Sequence, residues 1–155
     1  MRILLLAVGK VKAGPARDLF EDYANRLRPP LELIEVEERR RLGAAEMKRR
    51  EADLLRAALA RRPGKPLVVA LDERGRSLDT AAFAQQVGRW RDSGTAELAF
   101  LIGGADGLDR DLARSADLLL ALGPMTWPHL LVRGLIAEQL YRAQQILAGH
   151  PYHRV

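Results

Sequence analysis

The residues of this chain whose types and spacing could do chemistry crowd into its last third, from Leu101 to Arg154, which also holds all three histidines, His129, His150 and His153. The chain closes on HPYHR, and a histidine accepts a proton near physiological pH, so the tail offers proton transfer beside a tyrosine ring and an arginine. Two loops ahead of the tail are of another chemical kind. Gly103, Gly104 and Gly107 let a loop bring its backbone close to a ligand, and Gly123, Pro124 and Pro128 shape GPMTWPH into a stiff turn with exposed peptide groups. Other chemistries are excluded or disfavoured. With no cysteine there is no disulfide, thiolate metal site or cysteine nucleophile. GGADGLD lacks the lysine followed by serine or threonine of a phosphate-binding loop. Its paired glycines follow a fourth strand, not the first, which disfavours a standard nicotinamide site. His150 and His153 have no carboxylate cluster beside them, so no metal is expected.

The elements that must position these loops follow from the apolar pattern. Arg2 to Val8, Leu31 to Val36, Leu67 to Leu71, Glu97 to Ile102 and Asp117 to Leu122 are short runs bounded by turn signals, the profile of strands in a parallel sheet. Helices are expected from Pro15 to the prolines at 29 and 30, from about Ala44 to Arg61, after Asp79 or Ser77 as cap, from about Asp109 to Arg114, and from about Leu130 to Leu147. Glu73 to Arg76 reads as a turn and Trp90 as core. The order βαβαβαβαβα implies an α/β sandwich with a mainly parallel sheet flanked by helices. In such a sheet, ligands sit outside the carboxyl ends of the strands, where both special loops emerge.

At 155 residues the chain is one domain, 1–155. No apolar run approaches the roughly 20 residues needed to cross a bilayer. The first strand has neither a basic leader nor a small-residue cleavage site, so a soluble cytoplasmic protein without membrane association is expected. A net charge of +5 and a pI near 10.1 suggest a polyanionic partner, with RNA the obvious candidate. Arginine-rich solvated helix faces are the bland alternative.

Taken together, LIGGADGL, the turn before Pro128 and His129, the helix LVRGLIAEQLYRAQQI and the terminal HPYHR resemble the small SPOUT-class methyltransferases that modify a pseudouridine at N3 in bacterial 23S ribosomal RNA. The resemblance spans essentially the whole chain, and the tail is its most specific part. It implies a C-terminal trefoil knot in place of the unknotted path that generic rules favour, S-adenosyl-L-methionine bound within the knot loops, and a homodimer. Carried over residue by residue, it places the cofactor on Leu71, Gly103, Gly123, Pro124, Met125, Thr126, Trp127 and Pro128, mostly through backbone contacts. Beside it, the chemistry of methyl transfer to a protonated ring nitrogen needs a proton acceptor. His153 is the first choice, Tyr152 would stack on the base or bond its edge, and Arg154 would steady a carbonyl oxygen or phosphate. His129, Arg133 and Arg142 are candidate RNA contacts.

Each has a plainer reading, with His129 capping its helix and Arg142 pairing with Glu138 one turn earlier. The last helix, with Leu131, Leu135, Ile136 and Leu140 beside Gly134, Ala137 and Ala143, is the expected dimer seam, or else an ordinary helix covering the sheet. The expected substrate is 23S rRNA within the ribosome or large subunit. Competing readings are a transfer-RNA methyltransferase of the same class and a non-catalytic RNA-binding or ribosome-associated factor.

Overall fold

The computed structural model describes residues 1–152. Five strands form one parallel sheet in the order β2-β1-β4-β3-β5: β1 (Arg2–Val8), β2 (Glu32–Val36), β3 (Leu67–Ser77), β4 (Glu97–Ile102) and β5 (Leu118–Ala121). The helices are α1 (Pro15–Arg26), α2 (Ala44–Ala60), α3 (Thr80–Asp92), α4 (Arg110–Arg114) and α5 (His129–Leu147), which gives the alternation expected from the sequence.

The period-2 geometry of a strand divides the core in two. Ile3, Leu5 and Ala7 of β1 join Phe100 of β4 and Val69 of β3 under α1, α3 and α5. Leu4, Leu6 and Val8 join Ala70, Ala99 and Leu101 under α2 and α4. Because both faces are covered, β1 reads as a continuous apolar run, and Leu4, Leu5 and Leu6 are all fully buried. Truncating any of them to alanine would cost about 2–5 kcal/mol. Local signals start the helices: Pro15 opens α1, and the Asp79 carboxylate accepts from the Ala82 amide (2.7 Å) to cap α3. Trp90 is half-buried against the first core.

One expected turn is strand instead. After Leu71, which pairs with Leu120, β3 is interrupted by a bulge and then resumes pairing with β5 at Arg76 and Ser77. Gly75 makes this possible, since a Cβ there would lie 2.6 Å from the Leu120 backbone. The extension lifts Asp72 to Arg74 above the carboxyl edge as a wall. From the edge strand β5, the chain returns as α5 to pack on α1 and α3.

The stripe expected to seat a second copy is largely used within the chain. Ile136, Ala137, Leu140 and Ala143 are buried in the first core, and a Cβ on Gly134 would lie 2.7 Å from Leu19 of α1. The plainer reading of α5 therefore holds for these residues, while Leu131 and Leu135 remain half-buried.

Candidate active site

The carboxyl ends of β3, β4 and β5 open into a cavity of about 920 Å³. Its floor and walls include Leu71, Ile102, Leu120 and Val132, with Gly103 to Leu108 on one side and Gly123, Met125, Thr126, Trp127, Pro128 and His129 on the other. The expected cofactor residues are thus brought together, except that Pro124 does not line the cavity.

The glycine loop is held by its own backbone. Gly104 and Gly107 form an antiparallel bridge, with the Gly107 amide donating to the Gly104 carbonyl at 3.0 Å. A Cβ on Gly103 would sit 2.5 Å from the Gly107 carbonyl carbon and 2.6 Å from the Leu108 nitrogen, so only glycine fits this closure. Glu51 of α2 backs the loop: a Cβ on Gly104 would lie 2.9 Å from its Oε1. Burial first and Asp106 second push the Glu51 pKa up.

The opposite turn is braced by side chains. Gly123 has φ +87°, the left-handed region that favours glycine. The Trp127 indole donates back to the Leu122 carbonyl (3.1 Å), and the Thr126 hydroxyl donates to Glu73 in the β3 extension (3.3 Å). Met125 is 67% exposed, so its side chain is free to meet a ligand.

Several wall residues lay outside the expected site residues, namely Asp72, Glu73, Arg74, Lys48 and Arg110. Asp72 is clamped by Arg74, whose Nη2 donates at 2.6 Å, and that bond holds the carboxyl below its ordinary range. The glycine inside a charged segment was the available signal for this wall.

His129 opens α5 at the cavity rim, its Nε2 lying 3.9 Å from where a Gly9 Cβ would stand. Burial, then the nearby Arg133 charge, lower its pKa and favour the neutral imidazole. Arg133 corrects an expectation. Its guanidinium is fully buried and donates to Glu35 and to the carbonyls of Val8 and Gly9, so it presents nothing to an RNA. Arg142 donates through Nε to Glu138 (2.9 Å), as the one-turn spacing allowed, and lies over the Tyr152 ring.

Tyr152 is not at the cavity. It packs edge-on against Tyr141 (4.9 Å between centroids), and its hydroxyl donates to Glu138 (3.3 Å). His153 and Arg154 lie outside the described residues. Among the described residues, no group of three histidine, aspartate or glutamate side chains is placed to hold a metal, and no helix is long and apolar enough to cross a membrane.

A glycine loop and a braced turn facing each other across strand ends make a site for a small ligand, and comparison with known proteins gives the family. The family model described as "Predicted SPOUT methyltransferase" matches residues 1–153. The chain belongs to the SPOUT methyltransferases.

Within that family, the chain is 62% identical over 154 residues to a protein of Rhodospirillum centenum named "Ribosomal RNA large subunit methyltransferase H", with 99% of each chain covered. A protein of the same name from Paramagnetospirillum magneticum is 57% identical, again over 99% of each chain. Among solved structures, a probable methyltransferase from Bordetella pertussis shares the fold with a TM-score of 0.56 at 17% identity, covering 92% of this chain and 95% of that one. A probable methylase family protein from Haemophilus influenzae does so with 0.55 at 13% identity, over 99% of this chain and 70% of that one. In this SPOUT methyltransferase the cavity also passes a test of fit. Leu71, Ile102, Leu120 and Val132 give apolar surface for a purine, and the peptide groups of the two loops give polar contacts for a ribose and an amino acid.

Proposed function

We propose that this chain is an S-adenosylmethionine-dependent methyltransferase that methylates N3 of a pseudouridine in large-subunit ribosomal RNA. It works in the cytoplasm, on assembled ribosomes or large subunits. The observation that carries the reading is the cavity of about 920 Å³ between the glycine loop and the 123–128 turn, in a chain alike end to end to relatives named for that RNA. The trefoil threading of the C-terminal segment belongs to the same proposal and rests on the resemblance.

When bound, S-adenosylmethionine supplies a methyl group on a sulfonium, ready for in-line displacement. The protein's work is then to hold, orient and deprotonate. Leu71, Gly103 and the Gly123 to Pro128 turn hold the nucleoside end through apolar contact and peptide groups. His153 takes the N3 proton of the target base, Tyr152 stacks on it and Arg154 steadies a carbonyl oxygen. Neutral His129 at the rim is a further acceptor for a hydrogen bond from the base. Lys48 and Arg110, which line the cavity and form no ion pair among the described residues, suit flanking phosphates.

Tyr152 is held by Glu138, which stands roughly 13 Å along α5 from His129 at 1.5 Å per residue. A homodimer is the arrangement that delivers one copy's tail to the other's cavity. A second groove of about 710 Å³ supports it, lined by Leu19, Tyr23, Leu135 and Trp127 and sharing Gly123 with the first cavity.

The deciding experiment is transfer of labelled methyl from S-adenosylmethionine to ribosomes lacking this modification, with mass spectrometry to place the mark. Label on one pseudouridine of the large-subunit RNA is expected. Cofactor binding without label would redirect the search to another RNA, including transfer RNA, and no cofactor binding would favour a non-catalytic factor.

A further inference from the structure

Arg133 stands one turn after His129 in α5 and is 0% exposed. Burying a guanidinium is costly, and a hydrocarbon of similar volume commonly serves stability as well or better. Here the charge is spent on particular atoms. Nη1 donates to Glu35 Oε1 of β2 at 2.6 Å, while Nη2 donates to the carbonyls of Val8 (2.9 Å) and Gly9 (2.8 Å) at the end of β1. The same Glu35 oxygen accepts from the Val11 amide at 2.8 Å, so the clamp extends into the loop that carries Lys10 and Lys12. Nε is left without a partner among the described residues, so the side chain is not placed to satisfy itself.

What the clamp fixes lies at the cavity. Gly9 has φ +85°, which turns the chain sharply out of β1, and a Cβ there would lie 3.9 Å from His129 Nε2, at van der Waals distance. The Gly9 peptide, gripped by Arg133 through its carbonyl, is therefore a near neighbour of the His129 imidazole. We infer that Arg133 is a positioning residue: by clamping Val8, Gly9 and Glu35 to the first turns of α5, it sets His129 at the rim of the cavity and holds the Lys10–Lys12 loop beside it. The packing of α5 does not depend on this clamp alone, because Ile136, Ala137, Leu140 and Ala143 bury the next turns against α1 and α3.

The inference rests on reading the cavity as the methyl-transfer site, and its test is divided so that the two can fail separately. Arg133→Lys keeps the charge but loses the fork, and Glu35→Ala keeps Arg133 but removes the shared acceptor. Both would be checked for fold by circular dichroism, with Glu35→Gln as the milder variant if either does not fold. The first readout is nuclear magnetic resonance of the His129 ring and of the Gly9 and Val11 amides, which needs no activity. The second is turnover and KM on ribosomes. The expected result is displaced His129 and Gly9 signals, with kcat down about tenfold or more and KM within about threefold of the parent. Lower melting temperature alone, with His129 signals unmoved and kcat within about twofold of the parent, would overturn the inference. Should the parent protein transfer no methyl, the proposed function fails, and the resonance shifts still decide the clamp.

Discussion

At the amino edge of the sheet, Glu97 of β4 is 4% exposed and meets Arg2 and Arg62, each at 2.8 Å, while Arg62 also reaches Glu32 at 3.0 Å. The hydrogen bond from Arg62 holds the Glu97 carboxyl below its ordinary range despite burial. At the carboxyl edge of the same sheet, the backbone turns on glycines, His129 is pushed toward its neutral form, and Lys48 and Arg110 line a cavity without an ion pair among the described residues. The first edge has matched its charges and is closed. The second leaves polar groups and space open to a ligand, with Arg133 and Glu51 behind them and the Asp72–Arg74 pair in the wall. The contrast locates function more firmly than net charge does, because arginines are plentiful at both edges.

The contrast breaks most sharply at Gly103. A methyl group there collides with the backbone of Gly107 and Leu108, so Gly103→Ala should displace the loop and weaken S-adenosylmethionine binding on the order of 100-fold, measured by calorimetry, with the fold retained. At the closed edge the reverse is expected. Glu97→Ala should cost about 2 kcal/mol of stability in denaturant unfolding, while methyl transfer per folded molecule stays at the parent level.

Smaller effects sharpen the picture of the open edge. Lys48→Ala and Arg110→Ala should each raise KM for ribosomes and reduce the salt slope of RNA binding by about one, leaving cofactor affinity alone. The smallest is a pH effect. Because the folded pKa of His129 lies below the ordinary 6.5, the unfolded chain takes the proton first as pH falls. Stability should be unaffected by this group above about pH 6.5 and should decline below it, and His129→Gln should remove that part of the decline in melting temperatures measured from pH 7.5 to 5.

Much of this was legible in the sequence for identifiable reasons. Strands buried on both faces cannot be mistaken when they read LLLAV and LVVAL, and the caps and glycine loops punctuate them. The cofactor residues came from the resemblance, and the cavity gathers most of them. The β3 extension was missed because ERGRS has the composition of a turn, and the role of Gly75 as the point where two backbones touch depends on a partner strand more than 40 residues away. Arg133 was misjudged for a related reason. Arginine belongs on surfaces by default, and only the apolar row that continues through Ile136, Ala137 and Leu140 hinted that this one faces inward.

The central claim is that the open edge binds S-adenosylmethionine between the glycine loop and the 123–128 turn. Calorimetric titration of the cofactor into the parent protein and into Gly103→Ala tests it most directly. The account expects saturable binding by the parent and a loss on the order of 100-fold in the variant. Parent-like affinity in a folded Gly103→Ala protein would place the cofactor elsewhere.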